Sequence, residues 1–356
     1  MLKKKFFSHI NKIKSIATWK KDLALAKKFF KENDYEQAIK FFTFSLKGNS
    51  DNTDAFWWRG VSILKLSDND FTKARKAVKD FSQVINKKPK SEAYVNRSAA
   101  YIILKEYEKS IYDCDKAIKL KRKDSKAFFN RAISYSYLGK YKKAKIDFTR
   151  DIKLNLASEH DSFLQRGLIE QKLGNYELAI KDFKKVQEFK KINSFDLLLA
   201  TQKCSLNYIK VGKYKYAIEE SKKGISTLNI SNNSNTSLEE LSPWMTYICY
   251  SNMKINNLKE AIIWSNKLVM EAGKIWPGKK SAHLHLESLI LRGYILTKLK
   301  NYDRALEDFK KAKEIDEKHF TKRYINMFGL NIENLIYVLP EEMKNILMIT
   351  FNLSIN

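Results

Sequence analysis

Catalysis or metal binding requires nucleophiles, bases or ligands at a spacing that brings them together, and this 356-residue chain offers few such sets. His283 and His285 stand two residues apart. On a helix that step turns a side chain by about 200°, so the two imidazoles point away from one another and do not share a metal. The three cysteines, Cys114, Cys204 and Cys249, follow neither a disulfide framework nor a zinc-type spacing, and are expected to be buried thiols in a reducing compartment. The sequence holds no Gly-rich phosphate loop and no Ser or Cys nucleophile with a His placed to serve it. It therefore reads as a protein that is not an enzyme and uses no cofactor and no metal. Its chemistry is that of binding surfaces.

Such surfaces must be carried by regular elements, and one spacing reveals them. Ala38, Ala77, Ser110, Ala144, Ala179, Ala217, Ala261 and Ala305 each follow a Tyr, Leu or Ala by three residues, at intervals of 39, 33, 34, 35, 38, 44 and 44. A period near 34 marks stacked helical pairs rather than one core. Residues 125–158 form an undisturbed copy, with Phe128, Arg131, Ala132, Tyr135, Gly139, Tyr141, Ala144, Phe148 and Ile152 at copy positions 4, 7, 8, 11, 15, 17, 20, 24 and 28. This predicts a first helix, A, with an apolar stripe at 4, 8 and 11, a turn at Gly139, and a second helix, B, with its stripe at 17, 20, 24 and 28. Position 8 is small in every copy (Ala26, Gly60, Ser98, Ala132, Gly167, Ser205, Cys249, Gly293), as is position 20, because helices cross closely only over short side chains. Only 11 Gly and 4 Pro in the chain suit helices better than sheets.

YVNRSAAY (Tyr94–Tyr101), FFNRAISY (Phe128–Tyr135), NYELAIKDFKKV (Asn175–Val186) and NYDRALEDFKKA (Asn301–Ala312) repeat aromatic, small and apolar residues at fixed offsets. On these residues the chain resembles the tetratricopeptide repeat family over residues 19 to 316. The expected fold is all-α, a right-handed α-solenoid of about eight helix-turn-helix repeats. The copies run 19–52, 53–90 with about five extra residues between its helices, 91–124, 125–158, 160–193, 198–231, 242–275 and 286–319. Pro89 is the only repeat-terminal proline, and Tyr250 and Tyr294 lie one place from the usual aromatic, which predicts altered stacking in the last copies.

The resemblance implies a concave groove lined by the A helices, at positions 2, 5, 6, 9, 12 and 13. Those positions supply Trp57, Val61, Asn96, Ile102, Phe129, Asn130, Ile133, Tyr137, Leu164, Gln165 and Leu168, a mixture of apolar anchors and side-chain amides suited to a peptide or helix of another protein. Closure of that apolar surface by neighbouring repeats is the alternative. Lys31, Lys65, Lys172, Lys210, Lys254 and Lys298 occupy position 13. They form either a basic rim for acidic peptides and phosphates or the cations that a helix C-terminus favours. The clamp with which some relatives hold a carboxylate tail would use Trp57, Val61, Asn96, Lys126 and Asn130, and only Asn96 and Lys126 are of the matching type, so chaperone-tail binding is not expected.

Net charge is +27, which raises nucleic acid or an anionic membrane surface as partners. Against nucleic acid, 57 of the 67 basic residues are Lys and only 10 are Arg, the residue that reads guanine and stacks on bases. The expected role is thus a cytoplasmic adaptor that holds an acidic or mixed polar and apolar segment of another protein, with nonspecific lysine binding as the alternative.

Beyond the copies, residues 1–18 have Phe6, Ile10, Ile13 and Ile16 at helical spacing among lysines. They read as a capping helix, with membrane-surface contact or an organellar presequence as alternatives. Residues 228–240, rich in Asn and Ser, are expected to form a polar joint (232–241 in the domain division) between copies one to six (19–231) and copies seven and eight (242–319). Ala272–Lys280 is expected to be an ordered turn. Residues 320–356 are expected to make two capping helices split at Pro340, and the apolar end, 341–356, offers a surface for a homodimer.

Overall fold

The computed structural model describes residues 18–68, 70–154, 160–231, 237–274 and 279–319. The expectations for residues 1–17, for the C-terminal caps and homodimer surface at 320–356, and for the centres of both joints lie outside the described residues. Among the described residues the only regular structure is helical, and no strand occurs. In unit 1, Met1–Leu173, the A helices are α1 (18–31), α3 (Thr53–Lys65), α5 (Ser91–Ile103), α7 (Ser125–Tyr137) and α9 (Asp161–Lys172), and the B helices are α2 (Tyr35–Gly48), α4 (Phe71–Lys87), α6 (Tyr107–Leu120) and α8 (Tyr141–Leu154). Unit 2, Gly174–Asn356, contains α10 (Tyr176–Gln187), α11 (Ser194–Lys210), α12 (Tyr214–Ser231), α13 (Leu238–Lys254), α14 (Leu258–Lys274), α15 (Lys279–Lys298) and α16 (Tyr302–His319). Within each unit, consecutive helices from α2 onward pack on one another, and A helices of adjacent copies also touch. This is an all-α repeat fold.

The A–B crossing forms where the small residues stand. All eight residues at position 20 are fully buried. Under position 8 lies the aromatic ring of position 24: Phe42, Phe81, Phe148, Phe183 and Phe309 are among the most completely buried side chains. A Cβ on Gly60 would come within 2.9 Å of the Phe81 ring, and one on Gly293 within 2.8 Å of Phe309, closer than carbon atoms pack. The A–B turn is equally uniform. Asn33, Lys105, Gly139, Gly174, Gly212, Asn256 and Lys300, all at position 15, have φ between 59° and 78°. Three are glycine, and the other four adopt a left-handed conformation that costs an L-residue about 1–2 kcal/mol.

A buried ion pair, not anticipated from the sequence, ties the helices together. Arg59, Arg97, Arg131 and Arg292, all at position 7, each donate two parallel bonds of 2.6–2.9 Å to Asp80, Asp113, Asp147 and Asp308 at position 23. The third arm of each guanidinium reaches back to position 25 of the preceding copy: Thr43, Ser82, Asp115 and Asn266. Arg166 donates to Thr149 in the same way. Burial pushes the Asp80 and Asp113 carboxyls up against the opposing pull of their arginines, and the bidentate geometry is that of the charged pair. Where position 7 lacks Arg, position 23 lacks Asp: Leu25 with Phe41 and Ile248 with Trp264 are apolar, and Glu220 beside Cys204 pairs instead with Lys184.

Two expected insertions are corrected. In the second copy α3 and α4 are two residues further apart in sequence than α5 and α6, and the other three of the five lengthen α4 to 17 residues against 14 in α6. The Asp70 carboxylate accepts from the backbone N–H groups of Thr72 and Lys73 and sets that start. In unit 2, α11 to α16 run 17 to 20 residues, so residues 228–231 and 238–241, expected in the polar joint, are helical. Ser237 and Glu240 close a reciprocal capping box that begins α13. Trp244 and Met245 of this helix are buried, and the Trp244 ring lies on Gly224 of α12, filling a region where Ser221 replaces the usual position-24 Phe.

Asp113→Ala strands a half-buried guanidinium and should lower unfolding free energy by about 3–5 kcal/mol in chemical denaturation. Asp115→Ala, at the more exposed partner of Arg131, should cost under ~1 kcal/mol. Lys300→Gly relieves the left-handed conformation and adds unfolded-chain freedom, a net gain of roughly 0.5–1 kcal/mol in the same measurement.

Candidate functional site

The A helices of unit 1 distribute the expected groove residues over three environments. Leu164 is core, at 3% exposure, which removes it from the groove. Phe129 meets Phe148 edge to face at 5.7 Å, and Val61 and Ile133 pack on the clusters around Phe81 and Phe148, so these side chains fill the joints between helices. Asn130 is also committed. Its amide donates to the Val95 carbonyl at 3.1 Å and to the Ser98 hydroxyl at 2.9 Å, joining α7 to α5. Ile102, Gln165 and Leu168 are half-buried, and Tyr137, 66% exposed, stacks on Tyr107 at 4.8 Å.

Trp57 and Asn96 face open space. A cavity of about 420 Å³ is lined by Trp57 of α3, Val95 and Asn96 of α5, and Lys126 of α7, together with Glu92, Lys121 and Lys123. A second cavity of about 500 Å³ shares Trp57 and Glu92 and adds Trp58, Lys27, Lys88 and Lys90. Asn96 and Lys126, the two residues of matching clamp type, therefore line one space, whereas Val61 and Asn130 are held in helix packing. The lysines at 88, 90, 121 and 123 were not singled out from sequence. Their signal was the clustering of charge in two successive B–A turns, KKPK (Lys87–Lys90) and KRKDSK (Lys121–Lys126).

Lys31, Lys65, Lys172, Lys210, Lys254 and Lys298 are all exposed, and each is the last residue of its A helix. That placement complements the partial negative charge of the helix end. Lys254 and Lys298 also lie 5.3 and 5.8 Å from the ring centres of Tyr250 and Tyr294, four residues earlier. Cys114, Cys204 and Cys249 are free and buried. Burial pushes the Cys114 and Cys204 thiols up to about 12 and raises Cys249 as well, so all three are protonated and poor nucleophiles at neutral pH. No helix of the described residues is long and apolar enough to cross a membrane.

Family models described as tetratricopeptide repeat match residues 91–124 and 160–193, and a further model of that description matches 287–319. No curated protein matches the chain. Among solved structures, a tetratricopeptide repeat protein from Parabacteroides merdae ATCC 43184 is similar over 77% of this chain and 99% of its own, with TM-score 0.50 and 15% identity. PilW, described as a widely conserved type IV pilus biogenesis factor, is similar over 63% of this chain and 96% of its own, with TM-score 0.51 and 22% identity. At these identities the likeness is one of fold.

The two amides at position 6 separate in a denaturation experiment. Asn130→Ala, which removes two hydrogen bonds from α7 to α5, should cost about 1–3 kcal/mol, and Asn96→Ala should change stability by less than ~0.5 kcal/mol.

Proposed function

We propose that this tetratricopeptide-repeat protein is a non-catalytic adaptor that holds a peptide or helix of a partner protein against the A helices of unit 1. One observation carries the reading: three successive A helices send Trp57, Asn96 and Lys126 to the wall of a single cavity. The three side chains offer an aromatic surface, an amide that both donates and accepts, and a cation. An extended segment needs an apolar anchor, partners for its backbone and a charge to fix its register. Val61, Phe129, Asn130 and Ile133 serve as packing within and between the helices that carry this surface.

The nucleic-acid reading receives less support. Arg59, Arg97, Arg131 and Arg292 are engaged in buried pairs and are withheld from bases.

The test is crosslinked purification of the full chain from its own cells, with and without nuclease, beside an Asn96→Ala/Lys126→Ala variant of unchanged melting temperature. A defined set of proteins should survive nuclease and be depleted several-fold in the variant. An undiminished set in the variant places binding elsewhere, and loss of everything with nuclease assigns the function to the lysine surface.

A further inference from the structure

The two cavities beside Trp57 carry a charge pattern that neither the helix pairs nor their packing requires. Their walls include Lys27, Lys88, Lys90, Lys121, Lys123 and Lys126, three to each cavity. Lys88 and Lys90 lie in the turn from α4 to α5, and Lys121 and Lys123 in the next B–A turn, from α6 to α7. All four are exposed. Three carboxylates share the lining, but two are committed within the protein. Asp54 faces Lys27 at 3.5 Å, and Asp124 is buried, accepting from the Ser91 hydroxyl at 2.6 Å while it caps α7. Asp54, itself exposed, occupies Lys27, so five lysines face Glu92 in the two linings. The α5 N-terminus, between the two cavities, has Lys90 as its N-cap and no side-chain cap, and so adds its own positive field.

We propose that the paired cavities bind an acidic segment of a partner protein, with an apolar side chain on Trp57 and carboxylates on either side held by the turn lysines. This rests on the adaptor reading and names the partner's chemistry. The lining favours a peptide over a nucleic acid. Neither cavity has an arginine in its lining, and Glu92 accepts from a peptide N–H but repels phosphate. Val84 in one cavity and Val95 in the other continue the apolar floor on both sides of Trp57.

The full chain is titrated into a fluorescein-labelled peptide, EEDLFEED, and anisotropy is followed. The comparisons are its neutral twin QQNLFQQN and a short poly(U) strand of equal charge. The acidic peptide should bind with one-to-one stoichiometry and outlast its twin by about 10-fold or more in Kd. Lys88→Gln/Lys90→Gln/Lys121→Gln/Lys123→Gln should weaken it by about 10-fold, the sum of four modest partly screened attractions. Lys65→Gln/Lys172→Gln/Lys210→Gln/Lys254→Gln removes the same charge elsewhere and should change it less than ~2-fold. Equal losses in the two variants would reduce the effect to net charge and overturn the inference. So would equal binding of the neutral twin, no binding of either peptide, or displacement of the peptide by poly(U) through the turn lysines. The adaptor reading fails or stands separately, on the native partners retained by the Asn96→Ala/Lys126→Ala variant.

Discussion

The close crossing of helix A over helix B is the constraint on which the remaining structure depends. It exists because positions 8 and 20 are small in every copy, and where position 24 is Phe that ring fills it, as Gly60 over Phe81 and Gly293 over Phe309 illustrate. With the two axes this near, the polar stretches of each pair can turn only outward, and the next pair covers the apolar edge that remains. That is why Leu164 and Phe129, though they belong to a family-type groove register, end in packing when a neighbouring helix closes over them.

The Arg–Asp pairs act at the same junction in a different way. Apolar contacts at the crossing tolerate small rotations, whereas two parallel N–H···O bonds and a third arm to the preceding B helix fix angle and register together. A buried ion pair gives little net stability over an apolar pair of like volume, and Leu25 with Phe41 and Ile248 with Trp264 are this chain's own instances of the apolar alternative. The pairs are better understood as geometry. They withdraw the position-7 arginines from the surface, so any long-range field comes from the lysines together with exposed arginines such as Arg75, Arg122, Arg150 and Arg304.

Much of the fold was legible because it repeats. The eight small residues, the position-15 turn and the A–B stripes recur often enough to outweigh any degenerate copy, and each has a direct steric cause. Helix length was not legible in the same way. Residues 228–240 were read as a polar joint because they are rich in Asn and Ser, yet a capping box at Ser237 and the seat of Trp244 on Gly224 extend the helices instead. The site was legible only in part. Trp57 and Asn96 followed from register alone, but Asn130, with the same register as Asn96, bonds to α5, and no one-dimensional pattern distinguishes the two. The turn lysines lay outside the register altogether and were counted in the net charge before they had a place.

Helix length also decides where turn residues can take part in binding. In unit 1, α3, α5 and α7 begin at positions 1 of their copies, so the B–A turns lie beside positions 2, 5 and 6, and Lys88 to Lys123 reach the same space as Trp57 and Asn96. In unit 2, α11 and α13 begin four residues earlier and α15 seven, so these helices gain about 6 to 10 Å at their starts relative to α5 and α7. The extension of α15 places Ala282 in the core. Residues added to the period thus lengthen helices and strengthen packing, whereas the shorter copies keep their B–A turns beside an aromatic ridge with flanking cations.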